Sequence, residues 1–198
     1  MSSVYPQLQI EDEKGTIVTL HTDKGDITAK LFDDLAPKTV KNFIELAKKD
    51  YYNNLSFFRV IPNMMIETGD PTGTGSGGES IYGGSFEDEY NKWVFNFNGA
   101  LSMANQGVDS NRSAFFIVTS RTVNSEDAKS MKGAGYPDEV IEHYEKVGGS
   151  PWFDQRHTVF GQVMSGMDVA QEIAAVRRDL NDRPLEDVLL KSIEIKAQ

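Results

Sequence analysis

Leu55-Ser-Phe-Phe-Arg-Val-Ile-Pro-Asn-Met-Met-Ile-Glu-Thr68 is the stretch on which the fold turns. Its β-branched, aromatic and apolar residues are broken by Pro62-Asn63, which predicts strands around a turn. Toward the N-terminus, Ile17-Val-Thr-Leu-His-Thr22 and Ile27-Thr-Ala-Lys-Leu-Phe32 are two further β-rich runs. Asp23-Lys-Gly-Asp26 lies between them, and a turn containing Gly25 makes the pair a hairpin. A helix follows the hairpin. Pro37 suits its first turn, and Val40, Phe43, Ile44 and Ala47 recur at helical spacing. Lys48 and Lys49 sit where a helix C-terminus favours cations.

Toward the C-terminus, residues 69–84 contain seven glycines, which predicts a long irregular loop. Ala100-Leu-Ser-Met-Ala104, Ala114-Phe-Phe-Ile-Val-Thr119, Thr158-Val-Phe-Gly-Gln-Val163 and Val188 to Ile195 read as further strands. Gly166-Met-Asp168 opens a second helix, with Asp168 as its cap and Val169, Ile173 and Val176 as its buried stripe. Strands outnumber helices and no regular βαβ repeat appears. The fold class is mainly β, a closed or nearly closed barrel with two packed helices. Residues 1–13, ending in Glu11-Asp12-Glu13, read as a solvated N-terminal arm, and 14–198 as one domain. Residues 123–150 form a surface insertion in it, with six acids, three lysines and one short helix marked by Val140, Ile141, Tyr144 and Val147.

The length, 198 residues, suits one domain with an insertion. The formal net charge of −10 opposes phosphate backbones, so nucleic acid is not an expected partner. With no cysteine, disulfides, thiol nucleophiles and cysteine metal sites are excluded. No run approaches the ~20 apolar residues of a membrane helix, so no membrane partner is expected. The start, Met1-Ser-Ser-Val-Tyr-Pro-Gln7, lacks a charged region followed by an apolar one, and the expectation is a cytoplasmic protein.

Common chemistries lack their parts. Gly73, Gly75 and Gly78 satisfy a bare G-x-G-x-x-G, but Glu79 stands where a phosphate loop needs lysine, and no helix opens after it. His21, His143 and His157 have no metal-ligand spacing, and no metal or cofactor is expected. Glu87-Asp88-Glu89 reads as a solvated acidic run. No serine lies in G-x-S-x-G. Arg59, flanked by Phe57, Phe58, Val60 and Ile61, either points to solvent from an open strand face or enters a cleft. Met64, Met65, Phe116, Trp152 and Phe153 taken alone read as core, and His157 as a packed residue.

Taken in order, the motifs say more. Phe58-Arg-Val-Ile-Pro62, Gly69-Asp70, Gly75-Ser-Gly-Gly-Glu-Ser-Ile-Tyr82 and Phe86-Glu-Asp-Glu89 are followed by Leu101-Ser-Met-Ala-Asn105 and Ser113-Ala-Phe-Phe-Ile117. Trp152-Phe-Asp154 and His157-Thr-Val-Phe-Gly161 complete the series. This succession resembles the cyclophilins, the cyclosporin-binding class of peptidyl-prolyl cis–trans isomerases, in a bacterial-like form with an insertion before Trp-Phe-Asp. The resemblance implies a closed eight-stranded antiparallel β-barrel capped by two α-helices, with the inserted short helix added. It places the catalytic arginine on Arg59. It places the proline pocket on Met65, Phe116, Phe153 and His157, with Met64 on its wall. Ala104 and Asn105 fall on positions that read the substrate backbone, and Trp152 on the indole lining the groove. Gly75 and Gln106 fall on the adjacent specificity pocket.

The chain departs from the family at four of these places. Met64 replaces phenylalanine, which makes the wall more pliable. Phe153 replaces leucine. Glu67 replaces a glutamine that contacts both substrate and arginine, and Ala114 replaces a second glutamine beside the site. A carboxylate at Glu67 either orients the Arg59 guanidinium as a bidentate pair or competes with substrate for its donors. The expectation is an active isomerase, less efficient than a member with glutamine. The implied partners are proline-containing peptides, unfolded proteins and, weakened by Ala114, cyclosporin; the expected state is a monomer. The alternative is a proline-segment binding or chaperone-like module with weak turnover.

Overall fold

The structure is a computed structural model, described here over residues 4–196. Residues 1–3 of the expected arm and 197–198 of the expected domain lie outside the described residues. Ile17–Thr22 (β1) and Gly25–Leu31 (β2) form the hairpin, joined by Asp23-Lys24 in antiparallel register from Ile17↔Lys30 to Thr22↔Gly25. The Thr22 hydroxyl closes the turn by donating to the Gly25 carbonyl at 2.7 Å.

The remaining strands are Leu55–Ser56 (β3), Arg59–Ile61 (β4), Met65–Thr68 (β5), Ala100–Met103 (β6), Phe115–Val118 (β7), Val159–Ser165 (β8) and Leu189–Lys196 (β9). Among the described residues these nine strands make one antiparallel sheet in the order β3-β9-β1-β2-β8-β6-β7-β5-β4. The two edge strands, β3 and β4, are neighbours in sequence, separated by Phe57-Phe58. The sheet thus curls until its edges meet in the stretch read first. Inside the curl, Val60, Ile66, Leu101, Phe115, Ile117 and Phe160 form the core with Phe43 of helix α1 (Pro37–Lys48). The Phe43 ring meets Phe115 edge-on at 5.2 Å and Phe160 at 5.4 Å, an arrangement that suits the ring quadrupoles.

Helix α1 packs on β9 at one end of the barrel-like core. Pro37 stands at its start, as expected, but Ala36 cannot cap it. The cap comes instead from Glu89, whose carboxylate accepts from the backbone N–H of Lys38 at 3.1 Å and of Thr39 at 2.8 Å. The acidic run is therefore structural rather than simply solvated: Glu87 pairs with Lys38, and Asp88 accepts from the Asn111 amide at 2.8 Å.

The C-terminal capping helix, Met167–Ala174, packs on β2 and β5. Its cap is Gly166 in the left-handed region, at φ 88°, and not Asp168, which lies in the first turn. A side chain at Gly166 would run into the Asp26 carbonyl, so glycine takes the position that a polar cap usually holds. The buried face is Ala170, Ile173 and Ala174, one step round from the predicted stripe; Val169 and Val176 are half-buried.

Two expectations for the periphery are corrected. Residues 123–150 contain two helices, Ser125–Gly133 (α2) and Asp138–Val147 (α3), not one. α2 is short and weakly amphipathic, so its period is hard to see, but Asn124 and Asp127 close a capping box around its first turn. The insertion also has its own small core, in which Met131, Val140, Ile141 and Tyr144 pack on Tyr5, Phe95 and Phe97.

The N-terminal segment is not a solvated arm. Pro6–Asp12 forms a 3-10 helix kinked at Gln9, and Tyr5 and Gln7 are buried. The Gln7 amide accepts from the Phe95 N–H at 2.7 Å and donates to the Phe95 carbonyl at 2.8 Å, as a strand residue would. Lys30, only 4% exposed, donates to the carbonyls of Ile10, Glu11 and Glu13 at 2.7, 3.1 and 2.8 Å. Buried lysine is tolerated when its three donors are satisfied. Lys30→Met is expected to lower the unfolding free energy by about 3 kcal/mol, because three carbonyls lose a charged donor. Urea unfolding measures this, and an unchanged value would show that the segment does not depend on Lys30.

Candidate active site

Strand alternation sorts the residues of β4, β5, β6 and β7 onto two faces. Val60, Ile66, Ile117 and Leu101 are register partners that point into the core. The residues between them form a row on the outer face: Arg59 opposite Glu67, Glu67 opposite Phe116, Phe116 opposite Ser102. Ile61, Met65 and Val118 form the next row. The open question about Arg59 is thus answered by register: it stands on the outer face and also lines a cleft of about 610 Å³.

That outer face is not left to water. Residues 151–157 fold over it, and β5 and β7 are buried on both sides. This is why their sequences run apolar without alternation. The Phe116 ring meets Phe153 at 5.2 Å and His157 at 5.1 Å, while Phe153 and His157 meet at 5.2 Å. Met65 and Phe116 are buried in one cluster with the half-buried Met64, Ala104 and Phe153 around them. The expected pocket residues are therefore brought together. Trp152 is 42% exposed and packs edge-on against Phe153 at 5.9 Å, so its indole presents a free apolar surface at the rim.

His157 Nδ1 lies 3.0 Å from the Met103 carbonyl. A carbonyl only accepts, so Nδ1 carries the proton. Burial pushes the imidazole below its ordinary value despite that bond, so the ring is neutral near pH 7 where it packs on Phe116 and Phe153.

Glu67 does not form the bidentate pair with Arg59. Its Oε2 lies 3.7 Å from Arg59 Nη1, an ion contact beyond hydrogen-bonding reach. The guanidinium, about half exposed, keeps its donors available. Burial pushes the Glu67 carboxyl up to about 7, Arg59 opposes the rise, and Asp70 adds to it. A carboxyl in the cleft thus changes charge near neutrality.

The cleft also contains Gly75, Asn105 and Gln106. The Gln106 amide donates to the Gly75 carbonyl at 3.1 Å, and the Asn105 amide to the Arg156 carbonyl at 2.8 Å. Ala114, Ala104, Gly75 and Gln106 border a second, smaller cavity of about 70 Å³ next to it. A larger cavity of about 930 Å³ lies away from this face, against the docked N-terminal segment, and none of the expected site residues line it.

The glycine-rich loop is organised by Asp70. Its carboxylate accepts from the N–H groups of Thr72, Gly75 and Gly77 at 2.8, 2.8 and 3.1 Å. Burial works against the charge, but these bonds hold the carboxyl below its ordinary value. The amides that a phosphate loop would offer to an anion are already engaged by one.

Sequence reasoning missed one wall. Asp179, Asn181 and Arg183, from the loop after the last helix, line the Arg59 cleft. The Val60 N–H donates to the Asp182 carbonyl at 2.8 Å, and Arg183 to the Gly73 carbonyl at 3.1 Å. A polar loop carries no periodic signal, and long-range tethers to β4 and to the glycine-rich loop bring it to the site.

With this geometry in view, the relatives are informative. Two curated bacterial relatives bear the name "Putative peptidyl-prolyl cis-trans isomerase". The one from Staphylococcus aureus strain USA300 is 49% identical over 193 residues, covering 97% of this chain and 98% of the relative. The one from Staphylococcus haemolyticus is 48% identical with the same coverage. A crystal structure of a Cryptosporidium parvum cyclophilin-type peptidyl-prolyl cis–trans isomerase superposes with a TM-score of 0.77 at 30% identity, covering 93% of this chain and 99% of that one. A second crystal structure of that isomerase, in the presence of the dipeptide Ala-Pro, gives 0.75 at 30% identity, covering 92% and 99%. The family model described as cyclophilin type peptidyl-prolyl cis-trans isomerase/CLD matches residues 17–195, from the first residue of β1 to the penultimate residue of β9. A match that spans the whole sheet leaves one assignment, and the chain belongs to the cyclophilin-type peptidyl-prolyl cis–trans isomerases.

Proposed function

We propose that X-Pro bonds rotate on the outer face of β4, β5 and β7, with the proline ring held by Met65, Phe116, Phe153 and His157 and the prolyl nitrogen addressed by Arg59. The observation that carries this is the cross-strand row Arg59–Glu67–Phe116, which sets a half-exposed guanidinium beside the ring cluster of Phe116, Phe153 and His157. The Ala-Pro dipeptide in the related crystal structure supports proline-containing peptides and unfolded chains as substrates.

The uncatalysed barrier is about 20 kcal/mol, because amide resonance is lost in the twisted state. In that state the prolyl nitrogen is pyramidal and more basic. Arg59 donates a hydrogen bond to it only then, so the transition state is held more tightly than the ground state. Arginine suits the role because it stays charged and presents a rigid fork. No covalent bond breaks, so no nucleophile is needed. Asn105 and Ala104 anchor the peptide backbone, Trp152 lines the groove for peptide or cyclosporin, and Gly75, Gln106 and Ala114 border the adjacent specificity pocket. Met64 forms the pliable wall.

The same reading takes Leu55 to Ile61 as one bent strand that closes an eight-stranded barrel. In support, the Phe57 N–H donates to the Val188 carbonyl at 2.8 Å and the Thr68 hydroxyl to the Ser56 carbonyl at 2.9 Å, across the junction of the two edges. It takes 14–198 as one monomeric domain, and the lack of cysteine supports a reducing, cytoplasmic setting. The Arg59–Glu67 contact favours a second reading, a proline-segment binding module of weak turnover. NMR exchange on an Ala-Pro peptide separates them. Saturable acceleration of cis–trans exchange is the expected result, whereas saturable binding without a rate gain would leave the binding module.

A further inference from the structure

The pocket-covering segment is too short to hold itself in place. Pro151–Phe153 is a single 3-10 turn, and the N–H groups of Arg156 and His157 bond back only to the Phe153 carbonyl, at 3.1 and 3.2 Å. Such turns depend on tertiary partners for their position. The strongest of these is the Asp154 carboxylate, which accepts four hydrogen bonds. Asn96 supplies two to Oδ1, from its backbone N–H at 2.7 Å and its side-chain amide at 2.9 Å. Two residues of the insertion supply the others to Oδ2: the Tyr144 hydroxyl at 2.7 Å and the Tyr136 hydroxyl at 3.0 Å.

The network continues to the opposite wall of the pocket. The Ser102 hydroxyl donates to the Asn96 Oδ1 at 2.6 Å, and Ser102 is the cross-strand partner of Phe116. One carboxylate therefore ties the segment carrying Phe153 to the sheet row carrying Phe116. The tyrosines are themselves held rigidly: Tyr144 is fully buried, with its ring 4.4 Å from Phe97, and Tyr136 packs on Phe95 at 5.8 Å.

We propose that Tyr136 and Tyr144 are positioning residues for the isomerase, and that the 123–150 insertion acts as a brace on Asp154, setting the Trp152–Phe153 wall of the proline pocket. The proposal rests on the reading of Phe116, Phe153 and His157 as that pocket. It gives the insertion a role in substrate binding rather than in the chemical step, since Arg59 lies on β4 outside the network.

The test is the double variant Tyr136→Phe/Tyr144→Phe, which keeps both rings and removes only the hydroxyls. KM and the Kd for an Ala-Pro peptide are expected to rise about fivefold while kcat stays within about twofold of the wild type, the pattern of lost uniform binding. In a Trp93→Phe background the remaining indole, Trp152, is expected to show lower fluorescence anisotropy. A merely structural role would lower Tm and leave KM, Kd and anisotropy unchanged, and that result in a folded variant overturns the proposal. Tyr136→Phe alone, at a half-buried position, takes the place of the double variant if the latter does not fold, with the same direction expected. If the wild type binds the peptide without accelerating exchange, the isomerase mechanism fails, while Kd still decides the brace.

Discussion

Arg59→Ala is expected to lower kcat/KM on an Ala-Pro peptide by about two to three orders of magnitude, the usual loss when one preorganised donor to a developing charge is removed. KM should change little, because in the proposed mechanism the guanidinium acts on the nitrogen only after resonance is lost. The protein should remain folded. Arg59 is half exposed, and its ion contact to Glu67 is long, at 3.7 Å. Arg59→Lys should recover little, since an ammonium on a flexible stem does not reproduce a fixed fork. NMR exchange spectroscopy of the three proteins at equal concentration measures the effect, and full activity in Arg59→Ala would remove the residue from the mechanism.

The second large effect is pH dependence set by Glu67. Its carboxyl is pushed up to about 7 by burial, against the lowering influence of Arg59 and with the support of Asp70. His157 on the neighbouring segment is pushed the other way by burial, so it stays neutral above its ordinary value and adds no charge change between pH 7 and 8. Below pH 7 the Glu67 carboxyl is neutral and resembles the amide of glutamine; above it an anion competes for the Arg59 donors. We therefore expect kcat/KM to fall about tenfold from pH 6 to pH 8, an effect of about 1.4 kcal/mol on the barrier. Glu67→Gln should flatten the profile and exceed the wild type at pH 8. Equal or lower kcat/KM in that variant at pH 8 would show that the carboxylate orients the arginine rather than competing with substrate.

Stability follows the same proton. The folded state holds it more tightly than an unfolded chain, whose carboxyl titrates at its ordinary 4.5. The stabilising contribution is therefore complete below pH 4.5 and lost as pH rises through about 7. At about 1.4 kcal/mol per pH unit across that interval, this group alone makes the protein about 3 kcal/mol less stable at pH 8. Glu67→Gln should recover most of that at pH 8 and little at pH 5, as read by urea unfolding.

Much of the fold was legible because local signals agreed with it. The β1–β2 hairpin follows from two β-rich runs around a Gly25 turn, and α1 from Pro37 and its apolar period. The errors fell where long-range contacts overrule local character. Gln7 and Lys30 look like solvent-facing residues, and the N-terminal segment like an arm, until Phe95 and three carbonyls give their polar atoms partners. Glu89 looks like one acid in a run, yet it caps a helix that begins fifty residues earlier in the chain. The sequence shows one helix of the insertion and hides the other because α2 buries only Met131 and so leaves almost no apolar stripe.

The candidate site divides in the same way. By itself, the order of motifs from Phe58-Arg-Val-Ile-Pro62 to His157-Thr-Val-Phe-Gly161 determined the family and the candidate site residues, because each motif holds its place in the chain whatever its surroundings. Whether Arg59 faced solvent or a cleft, which protonation state Glu67 favours, and that Asp179, Asn181 and Arg183 complete the wall were decided only by the tertiary structure. The physical reason is that donor availability and carboxyl acidity depend on burial and on charges a few ångströms away. Those neighbours come from strands and loops far apart in the chain, and sheet register, not sequence order, sets who they are.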